Sequence, residues 1–278
     1  MSSTQEIETG SYAVARWIIW PPDSVRIVSW NIDRGQKLQQ VIEFLSGAKS
    51  DLVLLQESDL NARRTHRLNI AREIAQKLEM NYVFGREFQE LTQGTRTSPA
   101  YHGQTTLSRW PLSNCRLIRF QKQSNFWRPH WFLPEIGPFQ ERLGGRIALV
   151  CEANVGGKTI VSYNLHLESK GDDQLRGSQL DETLEDARRY DANTSIVLAG
   201  DFNLDVSDGS AADALSRAKF RDAFANRHVP TTPGSFLDPG RTIDWIFTRG
   251  PIRAIQPQVG RTVTASDHYP LSINLGFG

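Results

Sequence analysis

The chain has 278 residues, enough for a large core, and its 39% hydrophobic and 23% charged residues are ordinary for a globular protein. Its formal net charge of +1 gives no overall sign of a nucleic-acid partner, although a local basic cleft is still compatible with it. No run of about 20 apolar residues occurs, which argues against a helical membrane span and against stable membrane insertion.

The cysteines and the N-terminus suggest a compartment. Cys115 and Cys151 are too few for a disulfide framework, and their apolar surroundings favour buried free thiols over a bridge. Residues 1–10 are polar and acidic, without the basic segment and apolar stretch of a secretory signal, and look like a loose tail. We therefore expect a cytoplasmic protein, a monomer by default, with an N-terminal tail over residues 1–22.

Apolar spacing divides the first part of the chain into strands and helices. The polar stretch 89–101 is predicted to be a loop, and loops on a rigid scaffold often carry specificity. Short strands at 105–107 and 116–120 are predicted around the turn at Pro111. The elements before the loop are a strand at 25–32, a helix at 38–45, a strand at 51–56, a helix at 68–78 and a strand at 82–88.

Residues 124–139 combine aromatic side chains with three prolines and have no clear period. One interpretation is a long loop that plugs one side of the core. The other is an aromatic rim around a substrate cleft, and the sequence leaves both open. The aromatic residues are Phe126, Trp127, Trp131, Phe132 and Phe139.

The second half of the chain returns to alternating elements. Gly156-Gly157 separates apolar runs at 146–154 and 159–167, which is a strong hairpin signal. The order of strands and helices, then several strands, then strands and helices again predicts an α/β fold. We expect two packed mixed β-sheets flanked by helices, in a single domain over residues 23–278. The remaining elements are helices at 172–190 and 211–218 and strands at 195–199, 243–247 and 271–275.

Six strand-like runs end in a carboxylate, carboxamide or imidazole. Because a packed sheet can bring the ends of its strands together, these groups could share one cleft. Their chemistry suits a divalent cation and a phosphate ester. The six strand-end groups are Asn31, Glu57, His166, Asp201 with Asn203, Asp244, and Asp267 with His268.

Asp201 and Asn203 are two residues apart and face the same way if the strand continues. Asp201 could act as a general base or position a water molecule. Asn203 could donate a hydrogen bond to a developing negative charge. The structural alternative is an Asx turn that ends the strand.

Asp267 and His268 are neighbours, so on an extended backbone they face opposite ways and need not form a pair. Asp267 could bind a metal while His268 faces the substrate. Asp244 is then the natural carboxylate to fix the His268 tautomer. The structural alternative for His268 is a surface or hydrogen-bonded core histidine.

Asn31 and Glu57 end the first two buried strands, which would place them side by side. An amide oxygen and a carboxylate suit Mg²⁺, which needs few protein ligands. Strand-end capping is the alternative for Asn31, whereas Glu57 follows an apolar run and needs compensation for its desolvation. His166 interrupts another apolar stretch and could hold a phosphate oxygen. No P-loop, zinc or dinucleotide motif competes with this interpretation.

In this order, the motifs resemble the signature of the endonuclease/exonuclease/phosphatase superfamily, which includes DNase I-like and exonuclease III-like enzymes. The resemblance covers about residues 25–275, and it is specific because all six motifs occur in order. It implies a four-layer α/β sandwich and phosphoester hydrolysis that depends on Mg²⁺ or Mn²⁺. The motifs are Trp30-Asn31, Gln56-Glu57, Asn164-Leu-His166-Leu, Gly200-Asp201-Phe-Asn203, Ile243-Asp244 and Ser266-Asp267-His268.

The resemblance also implies a role for each site residue. Asn31 and Glu57 would bind the metal, Glu57 most directly, and Asp267 would bind the metal or its water. Asp201 would orient or deprotonate the attacking water. The other implied roles are phosphate contact, for Asn203 and His166, and transition-state stabilisation or protonation of the leaving oxygen, for His268 oriented by Asp244.

The substrate is less well defined. Arg142 and Arg146 precede a strand aimed at the cleft and could pair with phosphates. Residues 164–169 resemble tyrosyl-DNA phosphodiesterases, and nucleic acid is the expected substrate, most simply DNA cleaved by a nuclease. The alternative is a sphingomyelinase-like or inositol-phosphate phosphohydrolase, with residues 126–139 as its only candidate apolar hairpin. A binding module without catalysis is disfavoured because no signature residue is missing.

Overall fold

The computed structural model describes residues 6–14, 22–128, 140–225, 229–235 and 239–278. Within these residues it contains two mixed β-sheets and four α-helices. No helix in these ranges is both long and apolar enough to cross a membrane. The strands are β1 Ile7–Ser11, β2 Ser24–Arg34, β3 Leu52–Leu60, β4 Asn81–Glu90, β5 Ala100–Ser108, β6 Leu112–Arg119, β7 Arg142–Gly144, β8 Ile147–Val155, β9 Lys158–His166, β10 Ser195–Asp201, β11 Arg221–Asp222, β12 Asp244–Arg249, β13 Ile252–Val259 and β14 Leu271–Phe277. The helices are α1 Leu38–Gly47, α2 Ile70–Leu78, α3 Asp173–Ala187 and α4 Gly209–Arg217, and short 3₁₀ helices span Arg63–Thr65 and Asn125–Trp127.

Each sheet contains one parallel pair of strands among antiparallel neighbours. The first sheet has the order β1-β4-β5-β3-β2-β14-β13, with β7 beside β4, and the second has the order β11-β12-β10-β9-β8-β6. The parallel pairs are β2–β3 and β9–β10. A parallel pair needs a crossover connection, and α1 and α3 supply one for each sheet.

The strands alternate between two buried faces, which produces four layers. On β2, Ile27 packs between the sheets while its neighbour Val28 packs against α1 and α2. On β3, Leu54 likewise packs between the sheets and Leu55 packs against the helices. A strand buried on both faces reads as a continuous apolar run. Each such side chain contributes about 1.5–3 kcal/mol through burial. Helices α3 and α4 cover the outer face of the second sheet, so the predicted α/β sandwich is confirmed.

Helix α2 shows how local sequence sets the ends of an element. Its apolar face buries Ile70 and Ile74 against the first sheet. The helix begins after Asn69, whose side chain accepts a hydrogen bond from the backbone N–H of Arg72 at 3.0 Å. The predicted start at residue 68 is therefore two residues early, because the N-cap outweighs the apolar residue before it.

The expectation of a loose N-terminal tail is wrong for residues 7–11. Ile7–Ser11 is an edge strand that pairs antiparallel with β4, from Ile7 opposite Gly85 to Ser11 opposite Asn81. The strand predicted at 105–107 is also longer, because β5 begins at Ala100 and buries polar side chains. Strand β13 was not predicted at all.

The aromatic segment 124–139 is described only as far as Arg128, so Trp131, Phe132 and Phe139 lie outside the described residues. Trp127 is buried and donates its indole N–H to Glu168 at 3.0 Å, as a plug would. Phe126 is 56% exposed, as a rim residue would be. The described part of the segment thus contains one residue that fits the plug, Trp127, and one that fits the rim, Phe126.

The cysteines are free thiols: Cys151 is buried and Cys115 is partly buried.

Strand register brings the strand-end groups together. In the second sheet Asp201 lies opposite His166 on one side and opposite Asp244 on the other. In the first sheet Asn31 lies opposite Gln56, just before both strands become irregular. The carboxyl ends of both parallel pairs therefore meet at one edge of the sandwich.

Candidate active site

His268 and Asp244 form a buried hydrogen-bonded pair at this edge. His268 Nδ1 lies 2.8 Å from Asp244 Oδ2. The same carboxylate oxygen accepts a hydrogen bond from Thr231 Oγ1 at 2.6 Å. This arrangement turns His268 Nε2 toward Asp201, whose Oδ2 is 3.8 Å away. Asp244, identified from sequence as the natural partner of His268, is therefore in contact with it.

The charges around His268 favour the protonated ring. Burial alone would lower the pKa of His268, but the carboxylates of Asp244 and Asp201 outweigh burial and raise that pKa to about 10. At neutral pH the ring can therefore hold a proton on Nε2 that faces the cleft, as a general acid requires.

The loop that carries His268 is tied to strand β2. Ser266 Oγ donates to the backbone carbonyl of Asn31 at 2.7 Å and accepts from the backbone N–H of His268 at 3.1 Å. Trp30 Nε1 donates to the carbonyl of His268 at 2.9 Å. These bonds fix the backbone of His268, and with it the imidazole, relative to strand β2.

Asp201 is fixed by donors on both of its oxygens. The backbone N–H of Asn203 donates to Oδ1 at 2.9 Å, and Asn31 Nδ2 lies 3.1 Å from Oδ2. The first contact is the Asx turn that the sequence left as an alternative, so turn and site coincide. Asn203 adopts a left-handed conformation, with φ of 49°, and its Nδ2 donates to the carbonyl of Leu167 at 3.2 Å.

Gly200 allows the close packing beneath Asp201. Its φ is 147°, and a Cβ built there would lie 2.0 Å from the carbonyl oxygen of Leu165. Strand β10 can approach β9 this closely only without a side chain. Any substitution at Gly200 would displace the strand that positions Asp201.

Glu57 lies at an irregularity in strand β3 and has a φ of 56°, which is uncommon outside glycine. Its Oε1 is 3.9 Å from His166 Nε2 and its Oε2 is 4.0 Å from Arg34 Nε. Burial alone would raise the pKa of Glu57, but the nearby His102, His166, Arg34 and Arg146 hold it well below its usual range. The carboxylate is therefore ionised and faces the cleft.

His166 lies between Glu57, Asp201 and a buried ion pair. Its Nδ1 is 3.4 Å from Glu87 Oε2, and its Nε2 is 3.7 Å from Asp201 Oδ2. Arg146 Nη1 is 2.9 Å from Glu87 Oε1 and lies 2.8 Å and 2.9 Å from the two ring nitrogens of His166. Arg146 is thus brought into the site as a buried cation.

Arg142 and Asp267 do not contact this group. Arg142 lies 3.2 Å from Glu90, and its guanidinium centre is 5.1 Å from the centroid of the Trp127 ring. Asp267 is exposed, and its Oδ1 lies 3.2 Å from Ser266 Oγ. Arg142 is therefore a packing cation in this structure, whereas Asp267 stands at the rim.

Sequence reasoning missed Glu87 and His102, both of which are fully buried near the catalytic candidates. Each is a titratable residue inside a strand rather than at its end. A signal existed for Glu87, because a carboxylate inside the alternating stretch 82–88 needs a partner.

The sequence profile of the Endonuclease/Exonuclease/phosphatase family matches residues 28–268, which include every strand-end group described above. The chain belongs to this family. Members of the family are hydrolytic phosphoesterases that generally use divalent metals. No curated protein matches the chain in sequence.

Solved structures share the fold of this family. An endonuclease/exonuclease/phosphatase from Beutenbergia cavernae DSM 12333 has a TM-score of 0.68 and 18% identity, covering 92% of this chain and 72% of that one. TDP2 from Caenorhabditis elegans has a TM-score of 0.63 and 17% identity, covering 91% and 74%. The human Nocturnin catalytic domain, with a bound sulfate anion, has a TM-score of 0.66 and 16% identity, covering 92% and 95%.

The donor set of this family member fits a divalent cation. A carboxylate oxygen of Glu57 and one ring nitrogen each of His102 and His166 lie within 4.8 Å of one another. His102 Nε2 is buried without a hydrogen-bond partner among the described residues. An ionised carboxylate beside two imidazole nitrogens is a set of ligands that a divalent cation can use.

Proposed function

We propose that the protein is a metal-dependent phosphodiesterase and that it cleaves DNA. The observation that carries the proposal is the convergence of both sheets on one group, in which the carboxylate of Asp201 lies 3.7 Å from His166 and 3.8 Å from His268. A carboxylate between two imidazoles, beside the acidic Glu57, offers acid, base and phosphate contacts in one place.

Asp201 is the group we assign to the attacking water. Hydrogen bonds from Asn31 and from the backbone of Asn203 fix both of its oxygens, so its remaining lone pairs are directed into the cleft. A fixed carboxylate can orient a water molecule and accept its proton. His268 then delivers the Nε2 proton to the leaving oxygen, with the Asp244 carboxylate holding the ring.

The phosphate is contacted by His166 and Asn203, with Arg146 behind His166 as a fixed positive charge. A cation bound by Glu57, with Asn31 and Asp267 beside it, would neutralise charge on the phosphate during the reaction. Phosphoryl transfer depends mainly on positioning and electrostatic stabilisation, and these side chains supply both. The Arg146–Glu87 pair keeps the His166 ring in place.

Two features near the cleft support nucleic acid as the substrate. Phe126 is exposed, and Lys170 Nζ lies 5.5 Å from the centroid of its ring. An exposed ring beside a cation can stack on a base while the cation meets a phosphate. The resemblance of residues 164–169 to tyrosyl-DNA phosphodiesterases is consistent with this choice.

A substrate panel tests the proposal. Plasmid DNA, single-stranded DNA, bis-nitrophenyl phosphate, sphingomyelin and inositol phosphates are each incubated with the protein in Mg²⁺ or Mn²⁺, with EDTA as the control. We expect DNA cleavage that EDTA abolishes. Turnover of sphingomyelin or inositol phosphates without DNA cleavage would replace nucleic acid by the lipid or inositol class. Full cleavage in EDTA would contradict the dependence on metal.

A further inference from the structure

His102 is a second buried histidine beside Glu57, on strand β5 of the first sheet. It lies opposite Asp59 of β3 in the sheet register and is fully buried. Its Nδ1 is 3.2 Å from Asp59 Oδ1. Its Nε2 is buried and has no hydrogen-bond partner among the described residues.

The hydrogen bonds from Arg64 to Asp59 determine the role of His102 Nδ1. Arg64 donates to both oxygens of Asp59, with Nε at 2.7 Å from Oδ2 and Nη2 at 2.8 Å from Oδ1. A carboxylate in this bidentate pair is ionised and can only accept hydrogen bonds. His102 Nδ1 therefore donates to Asp59, so that Nε2 is the ring nitrogen left without a partner among the described residues.

Nε2 of His102 belongs to a cluster of potential metal ligands. One nitrogen of the His102 ring, one nitrogen of the His166 ring and a carboxylate oxygen of Glu57 lie within 4.8 Å of one another. Since Nδ1 contacts Asp59, Nε2 is the His102 nitrogen that is available to this cluster. A buried ring nitrogen without a protein partner, beside a carboxylate oxygen, is a position that a metal ion can fill.

We propose that His102 Nε2 is a nitrogen ligand of the cation that Glu57 binds, so that the centre selects a first-row transition metal over Mg²⁺. The proposal rests on the metal-dependent function argued above and specifies its metal. Imidazole nitrogen suits transition metals, whereas Mg²⁺ prefers oxygen ligands and keeps much of its water. The Asp59 carboxylate on the far ring nitrogen matches the usual support of a metal-binding histidine.

The test is the substitution His102→Asn, which separates the two ring nitrogens. The asparagine amide can replace Nδ1 as a donor to Asp59 but does not reach the position of Nε2. Mn²⁺ and Mg²⁺ are titrated into the full-length, metal-free protein by calorimetry. We expect the Mn²⁺ dissociation constant to rise at least about tenfold and the Mg²⁺ constant to change less than about threefold. Equal increases for both metals would overturn the proposal.

Pulsed electron paramagnetic resonance of the Mn²⁺-loaded protein supplies a direct readout. Wild type should show ¹⁴N coupling to the metal, and His102→Asn should lose the coupling of one nitrogen. A ¹⁴N coupling spectrum that His102→Asn leaves unchanged, or the absence of coupling from wild type, would refute nitrogen ligation by His102. The matched control is His66→Asn, because His66 is exposed and does not belong to the cluster of Glu57, His102 and His166.

Two further results separate this inference from the proposed function. If His102→Asn leaves Mn²⁺ affinity unchanged while the wild type cleaves DNA, the ligand assignment fails and the function stands. If Mn²⁺ binding depends on His102 but no phosphodiester is cleaved, the ligand assignment stands and the function fails. Thermal unfolding of metal-free His102→Asn at the wild-type temperature confirms that affinity, rather than folding, was changed.

Discussion

The cleft contains two buried histidine–aspartate pairs whose surroundings differ. Arg64 donates to both oxygens of Asp59, which also contacts His102. Among the described residues, the further side-chain hydrogen-bond partner of Asp244 is the uncharged Thr231 hydroxyl, and the Asp244 carboxylate raises the pKa of His268. The two carboxylates thus differ in their partners, and the two imidazoles differ in their proposed roles. His102 Nε2 is the nitrogen that we propose binds a metal ion, whereas His268 Nε2 is the one that we propose delivers a proton.

The largest expected effect comes from removing the proton donor. His268→Ala should lower kcat on DNA by about 10³-fold, within the range for loss of a general acid. The loss should be smaller on bis-nitrophenyl phosphate, because nitrophenolate leaves without help from an acid. Steady-state rates on both substrates check this. An unchanged rate on DNA would remove His268 from the mechanism.

The next effect isolates the orienting carboxylate. Asp244→Asn keeps the shape but removes the charge that holds the His268 ring, so kcat should fall by about 10²-fold while KM changes little. This split between kcat and KM is the measurement. A rise in KM with unchanged kcat would instead place Asp244 in substrate binding.

The site residues that lie at the ends of strands could be predicted from the sequence. His166, Asp201 and Glu57 follow long apolar runs, and such runs predict strands buried on both faces. Two parallel pairs then bring their carboxyl ends to one edge, as observed. The local pattern contained both the strand and its end, so no long-range information was needed.

The site residues that lie within strands, such as His102, could not be predicted from the sequence. His102 is buried because β5 pairs with β3 and places it opposite Asp59, a contact between residues 43 positions apart. The polar residues His102 and Gln104 also obscure the strand in the sequence, since the partner of Gln104 Nε2 is the carbonyl of Ile147 on another strand. Pairing with β3 and β4 thus makes a strand of residues 102–104, which lie between the predicted loop at 89–101 and the predicted strand at 105–107.

The missed edge strands have a different cause. Strand β13 contains Pro257 and a left-handed Gln256 at a register shift, features that argue against a strand when read locally. Strand β1 is only five residues long and has a single large apolar residue, Ile7. Short or interrupted edge strands have too few apolar positions to show a period.

Glu87, which contacts the third buried histidine, His166, contributes to the stability of the fold. His166 and Arg146 outweigh the effect of burial and lower the pKa of Glu87 to about 2. Because the folded-state pKa lies below the ordinary value of about 4.3, Glu87 stabilises the fold above that pH. This contribution is lost as the pH falls from about 4.3 toward 2. Glu87→Gln should therefore lower the free energy of unfolding by about 3 kcal/mol at pH 7.

Urea unfolding of wild type and Glu87→Gln at several pH values between 7 and 3 measures this difference. The gap between the two proteins should narrow as the pH falls below about 4.3. Glu141→Gln is the matched control, since Glu141 is exposed and its carboxylate lies 3.4 Å from the Arg142 guanidinium, outside the Glu87–His166–Arg146 group. A gap that stays constant with pH would mean that packing, rather than charge, is what Glu87 contributes.

The smallest effect concerns the Thr231 hydroxyl, which holds the Asp244 carboxylate. Thr231 Oγ1 donates to Asp244 Oδ2 at 2.6 Å and accepts from the backbone N–H of Asp244 at 3.1 Å. Thr231→Val keeps the shape and removes a bond worth about 1 kcal/mol, so kcat should fall about fivefold. Thr232→Val is the control, because the Thr232 hydroxyl meets the backbone of Arg241 instead. A loss as large as that of Asp244→Asn would mean that the hydroxyl, rather than the carboxylate charge, sets the geometry of His268.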